Sequence, residues 1–129
     1  MGSEHTFYDF CAEDGGNEIR IWLDGIPKGA KAKFNNWLQH LEATPPGQWK
    51  RPLVDTLDEH CAGLFEIRVK LSTQRFRILG AHTPDRTPTL LHCFIKPDAK
   101  VPHLDCDVAF ANEAIVNANP KRRVRHDYR

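Results

Sequence analysis

The sequence lacks the features that would place the chain outside the ordinary globular proteins. No apolar run approaches the roughly 18 to 20 residues of a membrane-spanning helix, and the chain has neither an internal repeat nor a low-complexity segment. An excess of one charge is also missing, since 18 Lys and Arg residues face 17 Asp and Glu residues. With 40% hydrophobic residues, the composition excludes disordered and collagen-like chains. The 129 residues therefore predict one domain over residues 1–129.

Signals of secretion and of metal binding are missing too. Residues 1–16 are acidic and lack the basic-then-apolar layout of a secretory signal, so we expect a cytoplasmic protein without a membrane partner. The four cysteines form no C-x-x-C pair, and we expect them to be reduced. His92-Cys93 and His103-x-x-Cys106 could together be imagined as a zinc site, but structural zinc sites usually need two tight pairs, and these are not such pairs. Because H-E-x-x-H and Gly-rich phosphate motifs are absent, we expect neither a metal nor a cofactor.

Hydrophobic periodicity predicts three helices. Asn17 is a suitable N-cap for a helix over 18–24, which ends before Gly25. From Lys28 onward the apolar residues recur at helical spacing, which predicts an amphipathic helix up to about residue 41. A third helix is predicted over 104–117, and the basic segment 118–129 follows it as a tail.

A period of two predicts three strands, at 64–71, 74–80 and 89–96. The two-residue link between the first two requires an antiparallel hairpin, and an aromatic run over 5–10 predicts one further strand. Helices stacked on one face of an antiparallel sheet make an α+β fold. The side chains that we expect to face the helices are Phe65, Ile67, Phe76, Ile78, Leu91 and Cys93.

The same alternation gathers basic side chains on the other face of the predicted sheet. That face carries five cations and a histidine, namely Arg68, Lys70, Arg75, Arg77, His92 and Lys96. Since like charges repel, this face predicts an anionic ligand. The alternative is that Glu66 pairs with Arg68 or Arg77 and that water solvates the rest.

Cations without a metal suit the cleavage of RNA by its own 2′-hydroxyl group. Arg and Lys can stabilise the charge that builds up on the phosphate, while His, Tyr or Lys can transfer protons. His126 and Tyr128 in the basic tail could fold back towards Arg77 and Lys96 for that purpose. A free, solvated tail is the alternative.

Four segments of this region resemble motifs of the RelE/ParE toxin superfamily, in particular its HigB-like, phage-derived-protein branch. They are Leu64-Phe-Glu-Ile-Arg68, Arg75-Phe-Arg77-Ile-Leu79, Leu91-His-Cys-Phe94-Ile-Lys96 and Lys100-Val-Pro102. The resemblance extends over about residues 18–110 and implies a RelE-like fold. In that fold an N-terminal helix pair packs on one face of an antiparallel sheet, and a helix follows near the C-terminus.

The resemblance implies the toxin of a type II toxin–antitoxin pair, a metal-independent endoribonuclease that cleaves mRNA on the ribosome. Its partners would be mRNA, the ribosome and a cognate antitoxin, a small helix-turn-helix protein. The expected catalytic residues are Arg68, Arg77, Lys96, His126 and Tyr128, and the expected substrate-binding residues are Lys70, Arg75, His92 and Lys100. Pro97 stands where relatives carry a second lysine. Two alternatives stay open, a ParE-like inhibitor of a DNA topoisomerase that cleaves nothing and a degenerate phage-derived interaction module.

Overall fold

The computed structural model describes residues 6–49, 54–96 and 102–129. Within these ranges three helices occur, α1 (Glu18–Gly25), α2 (Lys28–Glu42) and α3 (His103–Ala118). The strands are β1 (Tyr8–Phe10), β2 (Val54–Thr56), β3 (Phe65–Leu71), β4 (Gln74–His82), β5 (Pro88–Ile95) and β6 (Arg123–Arg125). Pro97 and Lys100, which the sequence analysis named, lie outside the described residues. None of the helices in the described ranges has the length and apolar character needed to cross a membrane.

The strands form one sheet in the order β2-β3-β4-β5-β1-β6. Neighbouring strands of the sheet are antiparallel, except that β1 runs parallel to β5. The α+β class and the three strands predicted by alternation are confirmed. The strands β2 and β6 were not predicted, because three residues are too few to show a period of two.

The helices α1 and α2 pack on one face of the sheet, as predicted. The Asn17 side chain caps α1 by accepting a hydrogen bond from the Arg20 backbone N–H at 2.9 Å. The apolar stripe of α2 is buried, and it joins the inward side chains of β3 and β4 in a first core. The main members of this core are Phe34, Leu38, Leu41, Ile67, Val69, Phe76 and Ile78.

The helix α3 packs on the opposite face, so the prediction that all helices lie on one face was wrong. Its buried residues Cys106, Ala109 and Val116 form a second core with Leu79 and Phe94 of the sheet. This face therefore has two parts, an apolar end beneath α3 and a basic end described below. The sequence did not predict this division, because it depends on where α3 packs. The helix covers only the end of this face that carries apolar side chains.

The predicted orientation of Leu91 was wrong for a local reason. Leu79 pairs with His92, but the next residue, Gly80, pairs with Leu90, so the register shifts here. Leu91 is the extra residue of this irregularity and packs in the second core. Gly80 is required at this point, since a Cβ atom there would lie 2.5 Å from the Phe65 ring and 2.6 Å from a backbone oxygen.

The cysteines also differ from expectation. Cys61 and Cys106 form a disulfide that links the turn before β3 to α3, with sulfur atoms 2.05 Å apart, although we expected four reduced thiols. The spacing of the cysteines gave no indication of this pair, because residues 45 positions apart meet only when α3 packs on the sheet. Cys11 and Cys93 remain as free thiols.

Candidate functional site

The register of β2 to β5 arranges one face of the sheet as an array of side chains. Directly opposed residues of antiparallel strands share a face, so each row of the array can be read across the strands. The first row holds Asp55, Glu66, Leu79 and His92, the second Arg68, Arg77 and Phe94, and the third Lys70, Arg75 and Lys96. We call this array, defined by its cations Arg68, Lys70, Arg75, Arg77 and Lys96, the basic face.

The carboxylate of Glu66 is the centre of the basic face. The residue has no solvent exposure, and its Oε1 accepts a hydrogen bond from Arg68 Nε at 3.0 Å. Its Oε2 lies 3.6 Å from Arg77 Nε and 3.7 Å from Lys96 Nζ. Arg77 and Lys96 are themselves buried, with 8% and 7% exposure. Three of the predicted catalytic residues therefore surround one carboxylate.

The cations around Glu66 are close to the carboxylate without being fully hydrogen-bonded to it. Glu66 Oε2 and Arg77 Nε are buried and have no hydrogen-bond partner among the residues that the structure describes. Burial lowers the pKa of Arg77 and of Lys96, while the negative charge of Glu66 acts in the opposite direction on both. The cations are thus held by charge and packing and keep hydrogen-bonding capacity.

The basic face carries more positive than negative charge. Asp55 Oδ2 accepts a hydrogen bond from Arg68 Nη2 at 2.7 Å. Together with Glu66, two carboxylates therefore face the five cations. Lys70 is exposed and Arg75 half-buried, and the two lie opposite each other at the open end of the array. An excess of three positive charges on one face attracts anions and accelerates their association.

His92 lies at the border between the basic face and α3. Its Nε2 is 2.6 Å from Asp105 Oδ1, in the first turn of α3. Its ring stacks on that of Phe94, with the centroids 5.8 Å apart and an angle of 16° between the planes. Asp105 and Phe94 thus hold the imidazole ring on two sides. The side chain is 22% exposed, so it remains accessible.

The tail is docked, but it lies on the other side of the sheet. His126 is buried, with Nδ1 at 2.8 Å from Asp9 Oδ1 and Nε2 at 2.9 Å from Asn35 Oδ1 in α2. The Tyr128 hydroxyl donates to Glu42 Oε2 of α2 at 2.6 Å, and its ring packs against the first core. Neither a free tail nor the predicted approach to the cations of the basic face describes this arrangement.

The register of the edge strand explains the position of the tail. Asp9 pairs with Val124 in β6 and also belongs to the face on which α1 and α2 pack. The alternation continues to His126, which therefore points to the same side, away from the basic face. His126 and Tyr128 anchor the C-terminal segment to α2 and β1, and the sheet separates them from Arg77 and Lys96.

Sequence reasoning missed two residues of the site. Asp55 belongs to the short strand β2, and Asp105 meets His92 only because α3 crosses over this end of the sheet. Glu66 itself was visible, since alternation placed it among the cations. Among the described residues, no three or more His, Cys, Asp or Glu side chains are arranged so that they could hold a metal ion.

Comparison with known protein families gives a match over most of the chain. The family model for phage-derived Gp49-like proteins (DUF891) matches residues 21–112. This family is a RelE/HigB-like toxin-type family. The matched segment contains β2 to β5, and hence the whole basic face, but it ends before the docked tail. No curated protein and no solved structure matched the chain.

Proposed function

We propose, because the chain belongs to the Gp49-like family of phage-derived proteins, that it is the toxin of a type II toxin–antitoxin pair. Its activity in this proposal is the cleavage of mRNA on the ribosome without a metal. The observation that carries the proposal is the convergence of Arg68, Arg77 and Lys96 on the single carboxylate of Glu66.

A phosphate group fits the chemistry of this cluster. The five cations of the basic face outnumber its two carboxylates, Asp55 and Glu66. A phosphate group would supply the missing negative charge, and guanidinium groups bind phosphates through paired hydrogen bonds. Lys70 and Arg75, at the open end of the array, would then contact neighbouring phosphates of the RNA strand. Lys100 has the same role in this proposal.

The cleavage step needs stabilisation of developing negative charge. When the 2′-hydroxyl oxygen attacks the adjacent phosphorus, charge builds up on the non-bridging oxygens. Arg77 and Lys96 would bind these oxygens, and the buried Glu66 would keep both side chains oriented before the substrate arrives. Preorganised cations of this kind act most strongly where water is excluded, and both side chains are buried.

The antitoxin in this proposal covers the basic face. A partner segment rich in Asp and Glu would be attracted by the same excess of charge that attracts RNA, which raises its association rate. A small helix-turn-helix protein with such a segment would satisfy this requirement. Its binding would compete with RNA binding and would weaken with added salt.

The experiment is a cleavage assay with translating ribosomes and an end-labelled mRNA. Wild-type protein should produce discrete cuts, and Arg77→Ala should lower the rate about 10²–10³-fold, as expected for the loss of one preorganised donor. Arg77→Lys, which keeps the charge and loses the planar fork, tests the role without leaving Glu66 unpaired. The control is Arg20→Ala, because Arg20 pairs with Asp24 on the surface of α1.

Each outcome decides between the candidate functions. Cuts by wild type that disappear with Arg77→Ala and persist with Arg20→Ala support the proposal. Intact mRNA, together with inhibition in a DNA supercoiling assay, would overturn it in favour of a topoisomerase inhibitor. Intact mRNA and unchanged supercoiling would overturn it in favour of an interaction module.

A further inference from the structure

The proposed cleavage reaction needs a group that accepts a proton, and the docked tail does not supply one at the basic face. His126 and Tyr128 hydrogen-bond to Asp9, Asn35 and Glu42 on the opposite side of the sheet. The cations of the basic face are suited to binding charge, whereas general base catalysis most often uses a histidine. The proton acceptor must therefore lie on the same face as Arg77.

His92 and Asp105 have the arrangement of an oriented acid–base pair. With Nε2–H donating to Asp105 at 2.6 Å, the neutral imidazole keeps its lone pair on Nδ1. The carboxylate fixes this tautomer and stabilises the imidazolium ion that forms when Nδ1 accepts a proton. The stacked ring of Phe94 fixes the plane of the imidazole, and the 22% exposure leaves it accessible to a substrate.

The pair is also next to the cluster that would bind the phosphate. Arg77 is opposite Phe94 and Leu79 is opposite His92, so Arg77 and His92 are diagonal neighbours on adjacent strands of one face. Diagonal neighbours are about 7–8 Å apart at the backbone, a distance that two long side chains and a bound nucleotide can span. The first two rows of the array thus place a proton acceptor beside the cations.

We propose that His92 is the general base of the RNA cleavage reaction and that Asp105 is its positioning residue. This inference rests on the proposed endoribonuclease function. In the step, the 2′-hydroxyl proton moves to His92 Nδ1 while the 2′-oxygen forms a bond to phosphorus. The bond from phosphorus to the 5′-oxygen breaks, and that oxygen takes a proton from water. The products are a 2′,3′-cyclic phosphate and a 5′-hydroxyl end, and the imidazolium returns its proton to solvent.

The experiment compares wild type with His92→Ala and Asp105→Asn in single-turnover cleavage of end-labelled mRNA on translating ribosomes. We expect the cleavage rate of His92→Ala to fall about 10²–10⁴-fold, the usual contribution of a general base, while RNA binding changes little. Added imidazole should restore part of the lost rate, which it would not do for a merely structural defect. The control is His60→Asn, because His60 forms a similar pair with Asp107 at 2.7 Å outside the array.

The balance between the cleavage rate and the affinity for RNA tests the role of Asp105. Asp105→Asn should lower the single-turnover rate while the affinity for RNA changes little, because it removes the carboxylate that fixes the tautomer of His92 and stabilises the imidazolium ion. Asp105→Glu, which keeps the carboxylate, should retain more of the rate than Asp105→Asn. Equal losses of rate and of RNA affinity in Asp105→Asn would refute the positioning role.

The possible failures can be told apart. If wild type cleaves no RNA under any condition, the proposed function itself is refuted. If wild type cleaves and His92→Ala cleaves at the same rate, the function stands and the role of His92 is refuted. A 3′ end other than a cyclic phosphate would also refute it, because the proposed step produces that end.

Discussion

Replacing Glu66 by Gln should destabilise the protein more than any other single loss of a carboxylate in the basic face. The substitution keeps the shape of the side chain and removes its charge, so it leaves no cavity. Glu66 is fully buried, and its Oε2 is the counter-charge of Arg77 Nε at 3.6 Å and of Lys96 Nζ at 3.7 Å. A glutamine can still accept the hydrogen bond from Arg68, so the cost comes from the two buried cations left without a counter-charge.

The magnitude follows from the burial of these groups. Breaking a buried ion pair by removing one partner costs about 3–5 kcal/mol. We expect the lower end, about 3 kcal/mol, because Arg68 retains Asp55 as a partner and because both contacts to Oε2 are long. For a domain of this size the loss corresponds to a decrease in Tm of about 9–15 °C.

The assay is urea unfolding followed by circular dichroism. The matched control is Asp24→Asn, since Asp24 also contacts two cations, Arg20 and Lys31, but does so at the surface. The control should change the free energy of unfolding little, because exposed ion pairs are screened by water and salt. Equal effects of Glu66→Gln and Asp24→Asn would refute the view that Glu66 neutralises buried charge.

A double variant separates this explanation from a general loss of packing. Arg77→Met removes one of the cations that Glu66→Gln leaves unpaired. In the combined variant, the free energies of unfolding should therefore not add, and the coupling should exceed about 1 kcal/mol. Additive losses would show that Arg77 and Glu66 do not interact.

Three further predictions concern the tail and the cysteines. Burial, followed by the hydrogen bond to Glu42, raises the pKa of Tyr128 above its ordinary value of 10.0. The contribution of Tyr128 to the free energy of unfolding should therefore be constant below about pH 10 and should fall above it, since only the unfolded chain then loses the phenolic proton. Tyr128→Phe should flatten that fall. His126→Ala should lower the free energy of unfolding by about 1–3 kcal/mol, measured in urea, because it leaves buried hydrogen-bonding groups unpaired. The rate of mRNA cleavage, measured at a temperature where the variant is folded, should be unchanged. A cleavage defect at that temperature would show that the tail takes part in the mechanism. Thiol titration of the denatured, unreduced protein should detect two of the four cysteines, and four detected thiols would contradict the disulfide between Cys61 and Cys106.

The sequence by itself determined the parts of the fold in which a repeated local pattern has enough residues to be recognised. The alternation in β3, β4 and β5 predicted an antiparallel sheet, and the helical spacing in α2 predicted its buried stripe. The side chains that alternate outward from β3 and β4 had to share a face, because successive residues of a strand point to opposite sides. The cations of the basic face were therefore predictable as a set before any tertiary structure was known.

Only the tertiary structure decided which partners those side chains have. Asp105 reaches His92 across 13 residues, Cys106 reaches Cys61 across 45 and His126 reaches Asp9 across 117. Contacts of this kind depend on the face on which α3 packs and on the register of the edge strand β6. Neither is set by a local period, because both result from the burial of apolar surface by the whole chain.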